Sequence, residues 1–332
     1  MKYTTAGKIV ENNEDVEGFH IIKLNNDFYF DGDSIFYDLD YECVDLYKKF
    51  TELVFGSLDE YYNKTGASPL WHSKGGVDSD SRIDSAWFNK TLQENGNELI
   101  YKEIFLADCH ALISCLQNRI LASRDIFIQF YIYFCELKID HFMDENGIFW
   151  TTGGKTNLIF GILNDIFSTN YAILDLVTKI AFQFENMPND YSKYPKLKCS
   201  NIVYGDKAKI KKIDKTNTVF EEKKEIKMII SLRHELIHNA TWEPLPKIFY
   251  EVENSEIINK YIYQPDINPN GTIIKVKNRK RFYSQEMKIN ETLPEICFPF
   301  WRALLETVKK YEETIIWHNK ALPLGDRCQA SP

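Results

Sequence analysis

The sequence predicts a mainly α protein, an antiparallel helical bundle whose N-terminal and C-terminal extensions carry short β-hairpins. Three observations lead there. Glycine and proline are scarce in 332 residues, at 15 and 11, which disfavours a turn-rich sandwich. Apolar residues recur at helical spacing through most of residues 99–240. Strand-like alternation is confined to residues 19–30 and 247–290.

Taken in order, residues 19–30 alternate around Asn25-Asn26 and predict a hairpin. From Tyr41 to about Tyr62, Val44, Leu46, Tyr47, Phe50, Leu53, Val54, Leu58 and Tyr61 fall near a 3.6-residue period and predict a helix. Gly66 through Ser85 is rich in Gly, Ser and Asp and reads as a boundary loop. Leu99–Leu121 and Arg124–Phe142 are expected as two helices, with a cap between them near Ala122-Ser123. The second is apolar on nearly every side, which makes it the most buried helix of the bundle. Leu158–Asn186 is a third helix ended by Pro188, and 187–220 is a long polar, basic connection. Glu221–Ala240 is a fourth, which Pro244 and Pro246 keep from continuing. Pro269-Asn270-Gly271 predicts a hairpin turn, and Leu293–His318 a last amphipathic helix before a frayed tail from Pro323. The organisation is therefore 1–95, an acidic region with hairpin and helix; 96–245, the bundle; and 246–332, an extension with hairpin and long helix.

Bulk properties narrow the class. With 44% hydrophobic residues, 22 Phe and 19 Tyr, a sizeable core is available. The N-terminus has no apolar signal region, and the longest greasy run, Ile126 to Cys135, is far short of the ~20 residues of a membrane span. A soluble protein is expected, with no membrane partner. Seven cysteines (43, 109, 115, 135, 199, 297 and 328) are odd in number and form no C-x-x-C, so reduced thiols and a cytoplasmic location follow as expectations. The net charge of −8 is uneven. Residues 1–62 hold fourteen Asp and Glu against five Lys, which leaves the remainder near neutral. That remainder contains two basic clusters: Lys207, Lys209, Lys211, Lys212 and Lys215, and Lys275, Lys277, Arg279, Lys280 and Arg281.

The chemistry concentrates in Leu232-Arg233-His234-Glu235-Leu236-Ile237-His238-Asn239. From His234 the stretch reads H-E-x-x-H, two imidazoles one turn apart with Glu235 as a possible base on metal-bound water. A zinc protease needs a third ligand. A metzincin's glycine and histidine would fall at Thr241 and Pro244, and Glu253 and Glu256 lie in an extended, polar segment. Gly153-Gly154-Lys155-Thr156 echoes a phosphate loop, but Phe149 stands where its first glycine belongs, and a helix start with Thr156 as cap accounts for it better. From Arg233 the stretch reads arginine, polar residue, and histidine five positions on. On a helical wheel with Ile226 at zero, Ile229, Leu236, Ile237 and Ala240 cluster near about 320° and Arg233 near about 340°, with both histidines on the flank. An arginine in an apolar stripe needs a carboxylate, such as Asp175, or a cleft. Glu235 is expected to face solvent or pair locally.

Arg233, His234 and His238 near the end of a bundle helix resemble the core motif of the HEPN (higher eukaryote and prokaryote nucleotide-binding) family of helical ribonucleases. In that family Asn is commoner at the position of His234. The preceding apolar helix, Tyr171-Ala172-Ile173-Leu174-Asp175-Leu176-Val177-Thr178-Lys179-Ile180, also looks like the family, and the resemblance covers about residues 96–245. It implies a metal-independent endoribonuclease with no cofactor. The activity is of the kind such proteins supply as toxins or phage-defence effectors, with an antitoxin or regulatory protein as a further partner. It also implies a homodimer whose motif helices share a cleft. Arg233, His238 and His234 would be catalytic, and Lys207, Lys209, Lys211, Lys212 and Lys215 would contact RNA. A non-catalytic interaction or nucleotide-binding module is the other reading of the same helix.

Overall fold

The computed structural model describes residues 1–65, 85–139, 145–194, 196–239 and 241–321. The stretch 66–84 expected as a boundary loop, Phe142, Ala240, Cys328 and the tail from Pro323 lie outside the described residues. The described residues are mainly helical, with two small antiparallel sheets among them. Among the described residues no helix is long and apolar enough to cross a membrane.

The elements run β1 (Lys2–Thr4), β2 (Ile9–Val10), β3 (His20–Leu24), β4 (Asp27–Phe30), α1 (Ile35–Phe55), α2 (Leu58–Thr65), α3 (Ser85–Asn95) and α4 (Glu98–Glu136). They continue with β5 (Gly147–Thr151), α5 (Gly154–Glu185), α6 (Lys224–Asn239), β6 (Ile248–Glu253), β7 (Glu256–Tyr261) and α7 (Ile289–Ala321). Two 3₁₀ turns, Tyr204–Lys209 and Val219–Glu221, lie between α5 and α6. Two compact units emerge, and neither is a single stretch of chain. The first gathers Met1–Asp38, Asn118–Leu174 and Glu221–Leu304; the second gathers Leu39–Gln117, Asp175–Phe220 and the chain from Leu305.

In the first unit, the hairpin expected around Asn25-Asn26 forms: Leu24 pairs with Asp27 across a two-residue turn, with Asn25 at φ 56°. It completes a sheet of order β2-β1-β3-β4, whose Tyr3, Ile21 and Phe30 are buried. Phe19, Phe30, Phe36, Phe127, Tyr131, Phe298 and Trp301 form one aromatic cluster, with ring centroids about 5–6 Å apart. Arg124 clamps Asp33 with two hydrogen bonds, 2.7 Å from Nε and 2.6 Å from Nη2, and donates a third to the Phe28 carbonyl.

The expected cap at Ala122-Ser123 does not form, and α4 runs unbroken for 39 residues. Ser123 is wholly buried; its hydroxyl donates to Asn170 Oδ1 at 2.6 Å and accepts from Trp301 Nε1 at 3.0 Å. A serine whose hydroxyl is satisfied by tertiary partners does not compete with the helical backbone. In the segment after it Phe127, Ile128, Phe130, Tyr131, Phe134 and Cys135 are buried, and the exposed residues, Asp125, Gln129, Tyr133 and Glu136, follow one stripe. The helix expected over Tyr41–Tyr62 breaks instead at Gly56, whose φ of 90° ends α1 in the left-handed region.

The second sheet has the order β5-β6-β7. Its tight turn is Asn254-Ser255, both at positive φ. Pro269-Asn270-Gly271 also turns the chain, but it closes only an isolated bridge between Ile267 and Ile273. Gly271 has a further duty. At φ 92° it lies so close to the start of α6 that a Cβ there would sit 2.1 Å from the Lys224 carbonyl oxygen. Replacing Gly271 with Ala is therefore expected to destabilise the protein by about 1–3 kcal/mol. Urea denaturation would reveal it, and an unchanged midpoint would refute the close approach.

In the second unit Phe50 stacks on Phe184 at 4.0 Å, and the Tyr311 hydroxyl donates to the Val177 carbonyl. Of the six described cysteines, five are buried and Cys115 is exposed.

Candidate functional site

The motif lies on the last two turns of α6, in the first unit. Ile226, Met228, Ile229, Leu232 and Leu236 are its buried apolar face. That face is centred further round the helix than expected, near about 275° on the same wheel. Ile237, expected in the stripe, is 46% exposed, and Arg233 lies at the rim, half-buried. The correction follows from Met228 and Leu232, which pull the buried face away from the Ile237 side.

Arg233 is held by an aromatic face. Its guanidinium carbon lies 4.5 Å from the centroid of the Tyr171 ring on α5, an arrangement worth about 0.5–2 kcal/mol. Among the described residues no carboxylate pairs with it. Asp175, weighed as a partner from sequence, accepts the Tyr204 backbone N–H at 2.7 Å. The guanidinium therefore keeps its fork of donors for another ligand.

His234 and His238 are both exposed, one turn apart, with ring centroids 5.9 Å from each other. His234 also sits 6.3 Å from the Tyr171 ring. Partial desolvation, then the positive charges of Arg233, His238 and Lys280, hold the His234 imidazole below its ordinary 6.5. It is neutral near pH 7 and able to accept a proton.

Of the two outcomes expected for Glu235, facing solvent and pairing locally, the second is found. Glu235 is buried, with 6% exposure. One carboxylate oxygen pairs with Lys280 and the other accepts the Asn239 side-chain amide at 3.0 Å. Lys280, 45 residues away in sequence, covers the face that a helical wheel of α6 alone leaves open. A base for metal-bound water would need a free carboxylate facing the two imidazoles, and this one is turned inward and occupied. Among the described residues no group of three His, Cys, Asp or Glu is arranged to hold a metal ion.

The two basic clusters have different fates. Lys277 and Asn278, at φ 49° and 66°, form a tight turn closed by paired hydrogen bonds between Val276 and Arg279. This hairpin exposes Lys275, Lys277, Arg279 and Arg281, and its Lys280 ties it to α6. Sequence reasoning missed this placement, since the only local signal was the run of charge itself. The lysines of 207–215 lie in the second unit, and the side chains of all but Lys211 are engaged locally. Lys209 pairs with Asp206 at 2.8 Å, Lys215 donates to the Lys207 carbonyl, and Lys212 donates to the Glu185 carbonyl. Lys207 lies over the Tyr204 ring, and the backbone N–H groups of Lys211 and Lys212 bind the Glu185 carboxylate.

At Gly153-Gly154-Lys155-Thr156, Gly153 rather than Thr156 caps α5: its carbonyl accepts the Asn157 N–H at 2.9 Å, and Thr156 is buried inside the first turn. No family model, curated protein or solved structure matches this chain.

Proposed function

We propose that this chain is a metal-independent endoribonuclease of the HEPN type. The observation that carries the reading is the division of labour on α6. Arg233, His234 and His238 present an open guanidinium and two imidazoles together, while Glu235 is withdrawn into an ion pair. RNA supplies its own nucleophile, the 2′-OH, so this set suffices. Neutral His234 accepts the 2′-OH proton as the 2′-oxygen bonds to phosphorus. The P–O5′ bond breaks, and His238 in its protonated form gives a proton to the leaving oxygen. Arg233 stabilises the charge that develops on the phosphorane oxygens. The exposed Lys275, Lys277, Arg279 and Arg281 supply phosphate contacts beside the site. Ile237, apolar and exposed next to the histidines, supports a homodimer in which two such faces meet.

Purified protein incubated with total RNA in EDTA tests the reading. Cleavage should leave 2′,3′-cyclic phosphate and 5′-hydroxyl ends and weaken with salt. Ends bearing 5′-phosphate, or activity that requires a divalent metal, would refute it. Absence of any cleavage would favour a non-catalytic interaction module. The His234 shift gives an independent check. Its folded value lies below the unfolded 6.5, so the folded chain binds this proton less readily, and stability is lost as the pH falls below 6.5. An NMR titration should place the His234 midpoint under 6.5, and a midpoint at or above it would refute the partly desolvated, positively flanked setting of the ring.

A further inference from the structure

The second unit contains a cavity of about 280 Å³ beside the end of α5. Its inner wall includes Gln183, which is wholly buried. The Gln183 side-chain oxygen accepts the Cys199 backbone N–H at 3.4 Å, which fixes the amide's orientation. Its Nε2 has no acceptor among the described residues. Buried donors are nearly always paired, because one left unmade forfeits its hydration without replacement. A lone buried donor in a cavity wall therefore points to an acceptor brought by a ligand.

The rest of the lining says what kind of ligand. Phe105 meets Tyr194 edge-on at 5.3 Å, and the Tyr194 hydroxyl donates to Asp108 at 2.6 Å, so the aromatic wall is rigid. Lys193, Lys196 and Lys198 are exposed and belong to the lining, and among the described residues none forms an ion pair. The Ser192 hydrogen bonds, and then Lys193, hold the Asp190 carboxyl below its ordinary value. Asp190, also in the lining, has its carboxylate engaged by the Ser192 N–H at 2.8 Å. The cavity lies just under the ~300–1,000 Å³ that holds drug-sized ligands, which limits it to a small molecule.

We propose that this cavity binds a small phosphate ester. The phosphate is held by Lys193, Lys196 and Lys198, the sugar or base lies against Phe105 and Tyr194, and an acceptor atom of that moiety receives the Gln183 Nε2–H. None of these residues belongs to the α6 motif, so the site is separate from the proposed ribonuclease chemistry.

Calorimetric titration of the full chain with AMP, ribose 5-phosphate, adenosine and inorganic phosphate tests the assignment. The two esters should bind at least about tenfold more tightly than adenosine or inorganic phosphate, a difference of about 1.4 kcal/mol. AMP tighter than ribose 5-phosphate identifies a nucleotide site, and equal affinity a sugar-phosphate site; either supports the proposal. Gln183→Glu keeps the acceptor for Cys199 but replaces the donor with an anion, and should weaken ester binding by about tenfold or more. The exposed pair Lys193→Ala and Lys196→Ala should do the same without touching the core. Failure of both esters to bind, inorganic phosphate binding as tightly as the esters, or affinity untouched by the lysine pair would overturn it.

Discussion

Replacing His238 with Ala is expected to lower RNA cleavage by ~10²–10⁴-fold, the contribution of a positioned proton donor, with no change in thermal midpoint. The second half of that expectation rests on its exposure and on the absence of any hydrogen bond to its ring among the described residues. Replacing Arg233 with Lys should remove most of the activity as well. Lysine keeps a charge over Tyr171 but loses the planar fork that can hold two phosphate oxygens together. A cleavage assay run beside a circular-dichroism melt separates chemistry from folding. Full activity in either variant would take that residue out of the mechanism. A lowered melting point in His238→Ala would mean the ring supports the fold after all.

The site shows which parts of such a reading a sequence can carry. Arg233, His234 and His238 are close in sequence and on one helix, so spacing alone placed them together. Glu235 pairs locally with Asn239, one of its two expected outcomes, but its burial was hidden because a helical wheel knows only the helix's own residues. Ile237 was misplaced because the stripe was centred without Met228 and Leu232 of the same helix. Lys280 pairs with Glu235 from a hairpin 45 residues on and draws it inside, while Ile237 is left outside because the buried face turns toward Met228 and Leu232. The basic hairpin of 275–281 follows the same rule. Its charge was visible, but its neighbour was not.

The fold divides along the same line. The Asn25-Asn26 hairpin was legible because its turn fixes the register within four residues. β5 was missed because it pairs with β6, so that Gly147 faces Val252 about a hundred residues away. The break expected at Ala122-Ser123 was overruled by Asn170 and Trp301, partners that propensity does not include. Nor could local pattern show that each compact unit collects three separate stretches of chain.

The largest expected effect on stability lies at Lys260. It is 6% exposed, and its ammonium donates to three backbone carbonyls at the end of α4: Phe134 at 3.2 Å, Cys135 at 2.8 Å and Leu137 at 3.1 Å. The last carbonyls of a helix have no partners within it, and a cation there also faces the negative end of the helix dipole. Burial pulls the lysine below its ordinary 10.5, so the folded chain binds this proton less readily than the unfolded one. Desolvation thus offsets part of what the three hydrogen bonds contribute, and stability should rise with pH in the window just below 10.5. Lys260→Met keeps the apolar stem and removes only the donor, leaving the carbonyls unsatisfied at about 1–3 kcal/mol each before the helix end relaxes. A net loss of about 3 kcal/mol at neutral pH is expected, together with disappearance of that alkaline rise. Gly7 provides the control. At φ 71° it packs so tightly on this side chain that an added Cβ would lie 2.8 Å from the Lys260 Cβ, so Gly7→Ala should destabilise while leaving the pH dependence in place. Urea unfolding of the two variants at neutral and alkaline pH distinguishes them. A Lys260→Met protein as stable as the parent would show that α4 ends without help from this ammonium.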